Sequence, residues 1–301
     1  MIQKRGNIVA LAESMTSVAF ASIPRNSSHS SPLHRLARSL GVAVRWQQPE
    51  LRWHSKGMLW DRLQLQPTLL GDVEAQVNIA GWPGRFVLAH ELAHRIADLF
   101  LTAQQRESIR ADDWEGLMDE CAGRLVLPDH LLLAACPDGE PLEMTPAWIN
   151  SVHHRLRVSM VCLLKRLNDL ACKGALTLAN CAFITAPAVS RKRRTHYDLR
   201  VITRCMPLGW FLPSNKRLSS LGLESLCAVF WRAEPFAENI AEDNVVISRR
   251  IDGQWKRVPV RAPFRYVIYT ASARTQRSML ATFSCTGLRP ESGPGKLGVL
   301  A

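Results

Sequence analysis

His90-Glu91-Leu92-Ala93-His94 reads H-E-x-x-H and lies in a run, Arg85 to Phe100, with the composition of a helix. On an α-helix, residues four apart sit one turn above each other on the same face. Both imidazoles can therefore reach one metal ion. Glu91 lies about 100° round the helix from His90, where its carboxylate can take a proton from water at that metal. Two nitrogen ligands and an adjacent base are the arrangement that zinc-assisted hydrolysis uses. Phe86, Val87, Leu88, Ala89, Leu92, Ala93, Ile96, Ala97, Leu99 and Phe100 make the run apolar nearly all round, the pattern of a buried helix. Histidines and a glutamate in such a helix need something to satisfy them: a metal, or backbone carbonyls if the histidines are only core residues.

A third ligand has to come from elsewhere. Asp98 is four residues past His94, but from 90 to 98 the helix rises about 12 Å, too far for all three side chains to meet at one ion. Downstream, Trp114, Leu117, Met118, Cys121, Ala122 and Leu125 recur at helical spacing along an amphipathic helix. Of its acids, Glu115 is nearest the apolar stripe, while Asp119 and Glu120 point further out. Glu115 is thus the best-placed ligand. It also stands three residues after Asp112, the spacing of a capping box, so closing the helix start is its other available role.

Arg85-Phe86-Val87-Leu88-Ala89-His90-Glu91-Leu92-Ala93-His94, followed by Glu115 and Ala122-Gly123-Arg124-Leu125-Val126-Leu127-Pro128, resembles the ImmA/IrrE family of metallopeptidases. Its pattern runs R-F-x-x-A-H-E-x-x-H, then E-x-x-A-x-x-F-A-x-x-L-L-x-P. Met118 stands where that pattern has a small residue and Cys121 where it has an aromatic. The stretch Leu33 to Trp46, a helix ending at Gly41 and then an alternating strand, is similar to the family's entry. The resemblance implies Zn²⁺ held by His90, His94 and Glu115, with Glu91 as catalytic base. It implies an α+β architecture: a zincin-like metallopeptidase domain, a helix-turn-helix-like linker and a GAF-like C-terminal domain. It further implies a cytoplasmic endopeptidase that cuts a helix-turn-helix repressor and so derepresses stress-response or mobile-element genes.

The expected organisation is a leader over 1–32, the metallopeptidase domain over 33–130, a helical helix-turn-helix-like region over 131–175, an α+β domain over 176–285 and a disordered tail over 286–301. In the leader, Lys4 and Arg5 before a semi-apolar stretch sketch a signal peptide, but Glu13, Ser14, Thr16 and Ser17 interrupt it. Ile8, Leu11, Met15 and Val18 fit a short amphipathic helix better, and a disordered leader is the other reading. In the linker, Thr145-Pro146 starts one helix. Ser159 caps a second, on which Lys165 and Arg166 are the residues available to a DNA groove. Beyond it, Leu199 to Thr203, Leu226 to Trp231, Val245 to Ile247, Trp255 to Val260 and Tyr266 to Tyr269 read as strands. Ala75 to Ile79, before the motif helix, reads as a strand, either ordinarily paired or an edge on which an extended substrate could lie. Arg85, His54 and Tyr266 are the candidates for stabilising an oxyanion.

Composition bounds the rest. Apolar residues make up 47% of 301, enough for real cores, and no run of eighteen apolar residues exists, so no membrane partner is expected. Eight scattered cysteines without C-x-x-C spacing read as reduced thiols. Charge is segregated: residues 1–72 carry net +5, 73–150 net −8 and 151–301 net +15. The basic C-terminal half, densest at Arg191-Lys192-Arg193-Arg194, could meet nucleic acid or an acidic protein surface. That asymmetry supports the rival reading, a DNA-binding or ligand-sensing transcriptional regulator whose metal site is structural or vestigial. The sequence carries no signal of oligomeric state.

Overall fold

The computed structural model describes residues 2–21, 32–46, 65–67, 73–77, 82–137, 139–187, 199–207, 210–212, 217–230, 232–251, 254–270 and 277–284. The Arg191–Arg194 cluster, His54, Asn78, Ile79, Cys285 and the expected tail lie outside these. Helices and strands are both abundant, as an α+β chain requires. The chain divides into two compact units: Met1–Leu131 with Arg157–Ser159, and Leu132–Leu156 with Met160–Ala301.

In the first unit, α1 (Ile2–Ala21) and α2 (Pro32–Ser39) precede β1 (Val42–Trp46), β2 (Leu65–Pro67) and β3 (Val73–Val77). Three helices follow: α3 (Trp82–Phe100), α4 (Ala103–Ser108) and α5 (Ala111–Val126). The chain turns from α2 into β1 at Gly41, whose φ of 67° lies in the left-handed region that glycine enters without a Cβ penalty. Within the expected leader, Ile2–Ala21 fold as α1, which packs on α5 and α3. Its buried stripe is Ala12, Met15, Thr16 and Ala19, with Val18 at 42% exposure off it. Met15 and the carbonyl of Ala12 lie 4.0 and 3.9 Å from the Cys121 sulfur, so α1 fills space beside this smaller residue.

The three strands are ordered β1-β3-β2. β3 lies between the other two, parallel to β1 and antiparallel to β2: Val73 to Ala75 pair on both sides, while Gln76 and Val77 pair with β1 among the described residues. α3 is buried along Val87, Leu88, Ala89, Leu92, Ala93, Ile96 and Ala97, but Leu99 and Phe100 are 48% and 40% exposed. The helix therefore has one solvent-facing side, on which its last two residues lie.

The short α6 (Asp129–Leu133) leads into the second unit. There α7 (Pro146–Leu156) opens on the expected cap: the Thr145 hydroxyl accepts from the Trp148 N–H at 3.1 Å. α8 (Met160–Cys172) follows. Arg166, expected to be available to DNA, is instead 1% exposed and donates to Asp169 at 2.9 Å; only Lys165 of that pair faces solvent. A six-stranded sheet completes the unit, from β4 (Asn180–Pro187), β5 (Leu199–Cys205), β6 (Trp210–Phe211), β7 (Glu238–Ile251), β8 (Gln254–Thr270) and β9 (Arg277–Ser284). Its order is β5-β4-β9-β8-β7-β6, all neighbours antiparallel.

Two strand expectations change. Leu226 to Phe230 belongs to a helix, α9 (Glu224–Phe230). The Asp243 carboxylate accepts from the Ser225 and Leu226 N–H groups at 3.0 and 2.8 Å, satisfying the helix start, and Leu226 and Phe230, four apart, face the core. Trp255 to Tyr269 is one continuous strand despite Pro259 and Pro263. Among the described residues β9 pairs with β8 only from Phe264 onward, so there neither proline has to donate to β9, which spares the ladder a missing donor.

Gly222 sits at φ 78°, and a Cβ there would run into the carbonyl oxygen of Asn244. Gly174 has a similar φ of 73° but open space around it. Gly174→Ala is expected to cost about 1 kcal/mol from backbone strain alone. Gly222→Ala adds overpacking and is expected to cost about 3 kcal/mol or more. Urea denaturation of the two variants checks the difference.

Candidate metal centre

The site is built where α3 lies against α5. Leu88, Leu92 and Ile96 of α3 and Leu117, Met118, Cys121 and Ala122 of α5 are all buried. The residues beside these apolar rows, at the rim of the contact, are His90 and His94 on one helix and Glu115 and Asp119 on the other. Each pair is four residues apart, so each presents two side chains on one face.

The His90 and His94 Nε2 atoms are 3.3 Å apart. The Glu115 carboxylate reaches them from α5: Oε2 is 3.2 Å from His90 Nε2, and Oε1 is 4.0 Å from His94 Nε2. One ligand atom from each of the three residues falls within 4.8 Å of the others. Ligands about 2.0–2.1 Å from a tetrahedral zinc are separated by about 3.3–3.4 Å, which the shorter two separations nearly meet. The residues therefore fit a metal, and the donor set of two imidazoles and one carboxylate suits a divalent ion that accepts nitrogen and oxygen. Asp98 stays out of the cluster, exposed and paired with Arg106 at 3.4 Å.

Glu115 does not serve as a capping residue. α5 begins at Ala111 with Arg110 as its cap and no side-chain hydrogen bond there. Its side chain is 68% exposed, against 19% and 23% for the two imidazoles, so the cluster opens toward solvent on the Glu115 side.

Two residues that the sequence reading passed over hydrogen-bond to the imidazoles. Asp119 Oδ1 is 3.1 Å from His90 Nδ1. A carboxylate there holds the proton on Nδ1 and turns the Nε2 lone pair toward the centre. The indole of Trp114 donates to His94 Nδ1 at 3.3 Å. Asp119 was legible: it is four residues after Glu115, on the same face. Ranking the acids by distance from the apolar stripe hid that spacing.

Electrostatics follow from this crowding. Burial alone would lower the His90 pKa, but the hydrogen bond and charge of Asp119, with Glu91 and Glu115, raise it above the ordinary imidazole value. His94 moves the other way, lowered by burial and by the charge of His90, with Glu115 and Asp98 opposing. Glu91, only 8% exposed, is pushed up to about 7 by burial, with His90 opposing and Glu115 adding. Of the oxyanion candidates, Arg85 lies in α3 five residues before His90, and Tyr266 belongs to the core of the second unit's sheet.

No family model matches the chain, and no curated protein matches it. Among solved structures it is similar to a Mycobacterium tuberculosis transcriptional regulator, with 12% sequence identity and a TM-score of 0.48, over 93% of this chain and 76% of that one. A likeness at that distance carries no inference about activity.

Asp119→Ala is expected to weaken metal binding by about 10–100-fold, read by competition with a chromophoric chelator, with helix content unchanged by circular dichroism. Glu91 gives a pH signature in the metal-free protein. Its folded pKa lies above the unfolded value, so the stability contributed by the neutral carboxyl is complete below about pH 4.5 and lost as pH rises through about 7. Chelator-treated Glu91→Gln should match the parent at pH 5 and exceed it at pH 8, on the order of 2 kcal/mol. Denaturant titrations at the two pH values measure this.

Proposed function

We propose that the protein is a zinc-dependent endopeptidase. The observation that carries this reading is the convergence of His90 Nε2, His94 Nε2 and the Glu115 carboxylate beside a buried Glu91. Structural zinc sites close all four positions with protein ligands, whereas catalytic sites use three and leave one for water or substrate. Among the described residues the group is two histidines and one glutamate, a catalytic composition. A base next to the first histidine is what hydrolysis needs and a structural site does not. That favours an enzyme over the regulator with a structural or vestigial site.

A zinc ion held there supplies a Lewis acid for the scissile carbonyl and lowers the pKa of water in the site toward about 7. The chain's own residues do the rest. His90 and His94 present Nε2 lone pairs, the first fixed by Asp119. The Glu91 carboxylate takes a proton from the attacking water and passes it to the leaving amine nitrogen. A bound metal would act on Glu91 in the direction opposite to burial and favour its ionised form. The solvent-facing side at Glu115 gives a polypeptide access.

The resemblance around the motif supports a zincin-like fold for the first unit, and a cytoplasmic helix-turn-helix repressor as the substrate. The same resemblance supports a GAF-like reading of the second unit's sheet. Among the described residues no helix is long and apolar enough to cross a membrane. Purified protein should hold about one zinc per chain, lost in His90→Ala. Glu91→Gln should retain the metal and abolish cleavage of a co-expressed repressor; cleavage that survives in Glu91→Gln rules out the mechanism.

A further inference from the structure

The second unit holds a cavity of about 460 Å³ between α7 and the strands β7 and β8. One wall is a single face of α7, where Pro146, Ala147, Asn150, His153 and His154 follow helical spacing. The other wall is the sheet face turned away from that unit's main core. Tyr266 and Ile268 point into that core, so Val267 and Tyr269, which alternate with them, point toward the helix. Glu238 stands directly opposite Val267 across the ladder and shares its face. Met160, at the start of α8, and Phe236, 65% exposed, complete the lining.

The volume suits a small organic molecule, and the lining says which kind. Phe236 and Tyr269 meet edge to face, with ring centroids 6.0 Å apart and planes at 81°. The Phe236 backbone sits at φ 68°, a conformation that a bulky residue adopts only under strain. Its N–H donates to the Ile268 carbonyl at 2.8 Å, which pins the ring beside the cavity. Glu238 adds a carboxylate next to these rings. Arg265 approaches it at 3.9 Å, longer than a hydrogen bond. Its charge is felt at Tyr269, whose hydroxyl is pushed up to about 12 by burial with Glu238 adding. Aromatic faces and a carboxylate both attract a cation. A metal ion is the poorer fit, because among the described residues His153, His154 and Glu238 do not converge as a ligand group. Val267, Pro146, Ala147 and Met160 offer apolar contact instead, which calls for a cation with a hydrocarbon body.

We propose that this cavity binds a small organic amine, with its ammonium group held by the Glu238 carboxylate and the Tyr269 and Phe236 rings, and its apolar body against Val267, Met160 and α7. The site lies within the second unit and does not rest on the peptidase reading.

The test is isothermal titration calorimetry of the full chain with phenethylamine. Phenethyl alcohol and phenylacetate, which keep the ring and carry a hydroxyl or a carboxylate in place of the ammonium, are the comparisons. The amine is expected to bind about tenfold more tightly than the alcohol, and phenylacetate more weakly than either. Glu238→Gln should weaken the amine about fivefold and leave the alcohol unchanged. Tyr269→Leu should weaken the amine about fivefold through loss of the ring face. Phe236→Gly removes a ring and the backbone strain together, so it should weaken the amine while the chain stays at least as resistant to urea; this variant keeps the test open if Tyr269→Leu does not fold. No binding of the amine at about 10 mM, equal or tighter binding of the alcohol or phenylacetate, or an unchanged amine affinity in Glu238→Gln would each overturn the proposal.

Discussion

The packing of α3 on α5 is the constraint on which the rest of the first unit depends. Neither helix carries a complete site. α3 holds two imidazoles one turn apart, and α5 holds two carboxylates one turn apart. Only the buried contact between them, built on leucines, alanines, Met118 and Cys121, fixes the distance at which His90 meets both Glu115 and Asp119. α1 backs the arrangement by packing on both helices, so the N-terminal segment acts as scaffold for a site to which it contributes no ligand.

The parts of this that could be read from sequence were those set by local spacing. The motif helix, the turn at Gly41 and the cap at Thr145 depend on residues within a turn or two of each other, and the inward side of Glu115 could be read from the spacing of its own helix. The parts that could not be read depend on partners far along the chain. Leu226 to Phe230 has the composition of a strand, but Asp243 caps its first turn from another element. β3 became central because β1 and β2, on either side of it in space, are separated from each other by eighteen residues. Arg166 is the intermediate case. Its partner Asp169 is one turn away, and the spacing was visible, but its burial was not, because that depends on what packs over α8.

Burial of the two acidic groups is unequal, and the inequality divides their work. Glu115 reaches the imidazoles from a solvent-facing position, so its charge costs little to maintain. Glu91 sits under the helix contact, where an ionised carboxyl is expensive without a cation nearby. A metal at the three ligands would therefore stabilise the first unit partly by relieving Glu91.

The hydrogen bonds around the imidazoles have one further consequence. An indole N–H can only donate, so His94 Nδ1 is the acceptor and its proton sits on Nε2. That proton points at His90 Nε2, and His90 in turn donates from Nδ1 to Asp119. An ion bound at the two Nε2 atoms would require His94 to carry its hydrogen on Nδ1, where it would face the indole N–H donor to donor, so metal binding at His94 and the present Trp114 hydrogen bond would exclude one another.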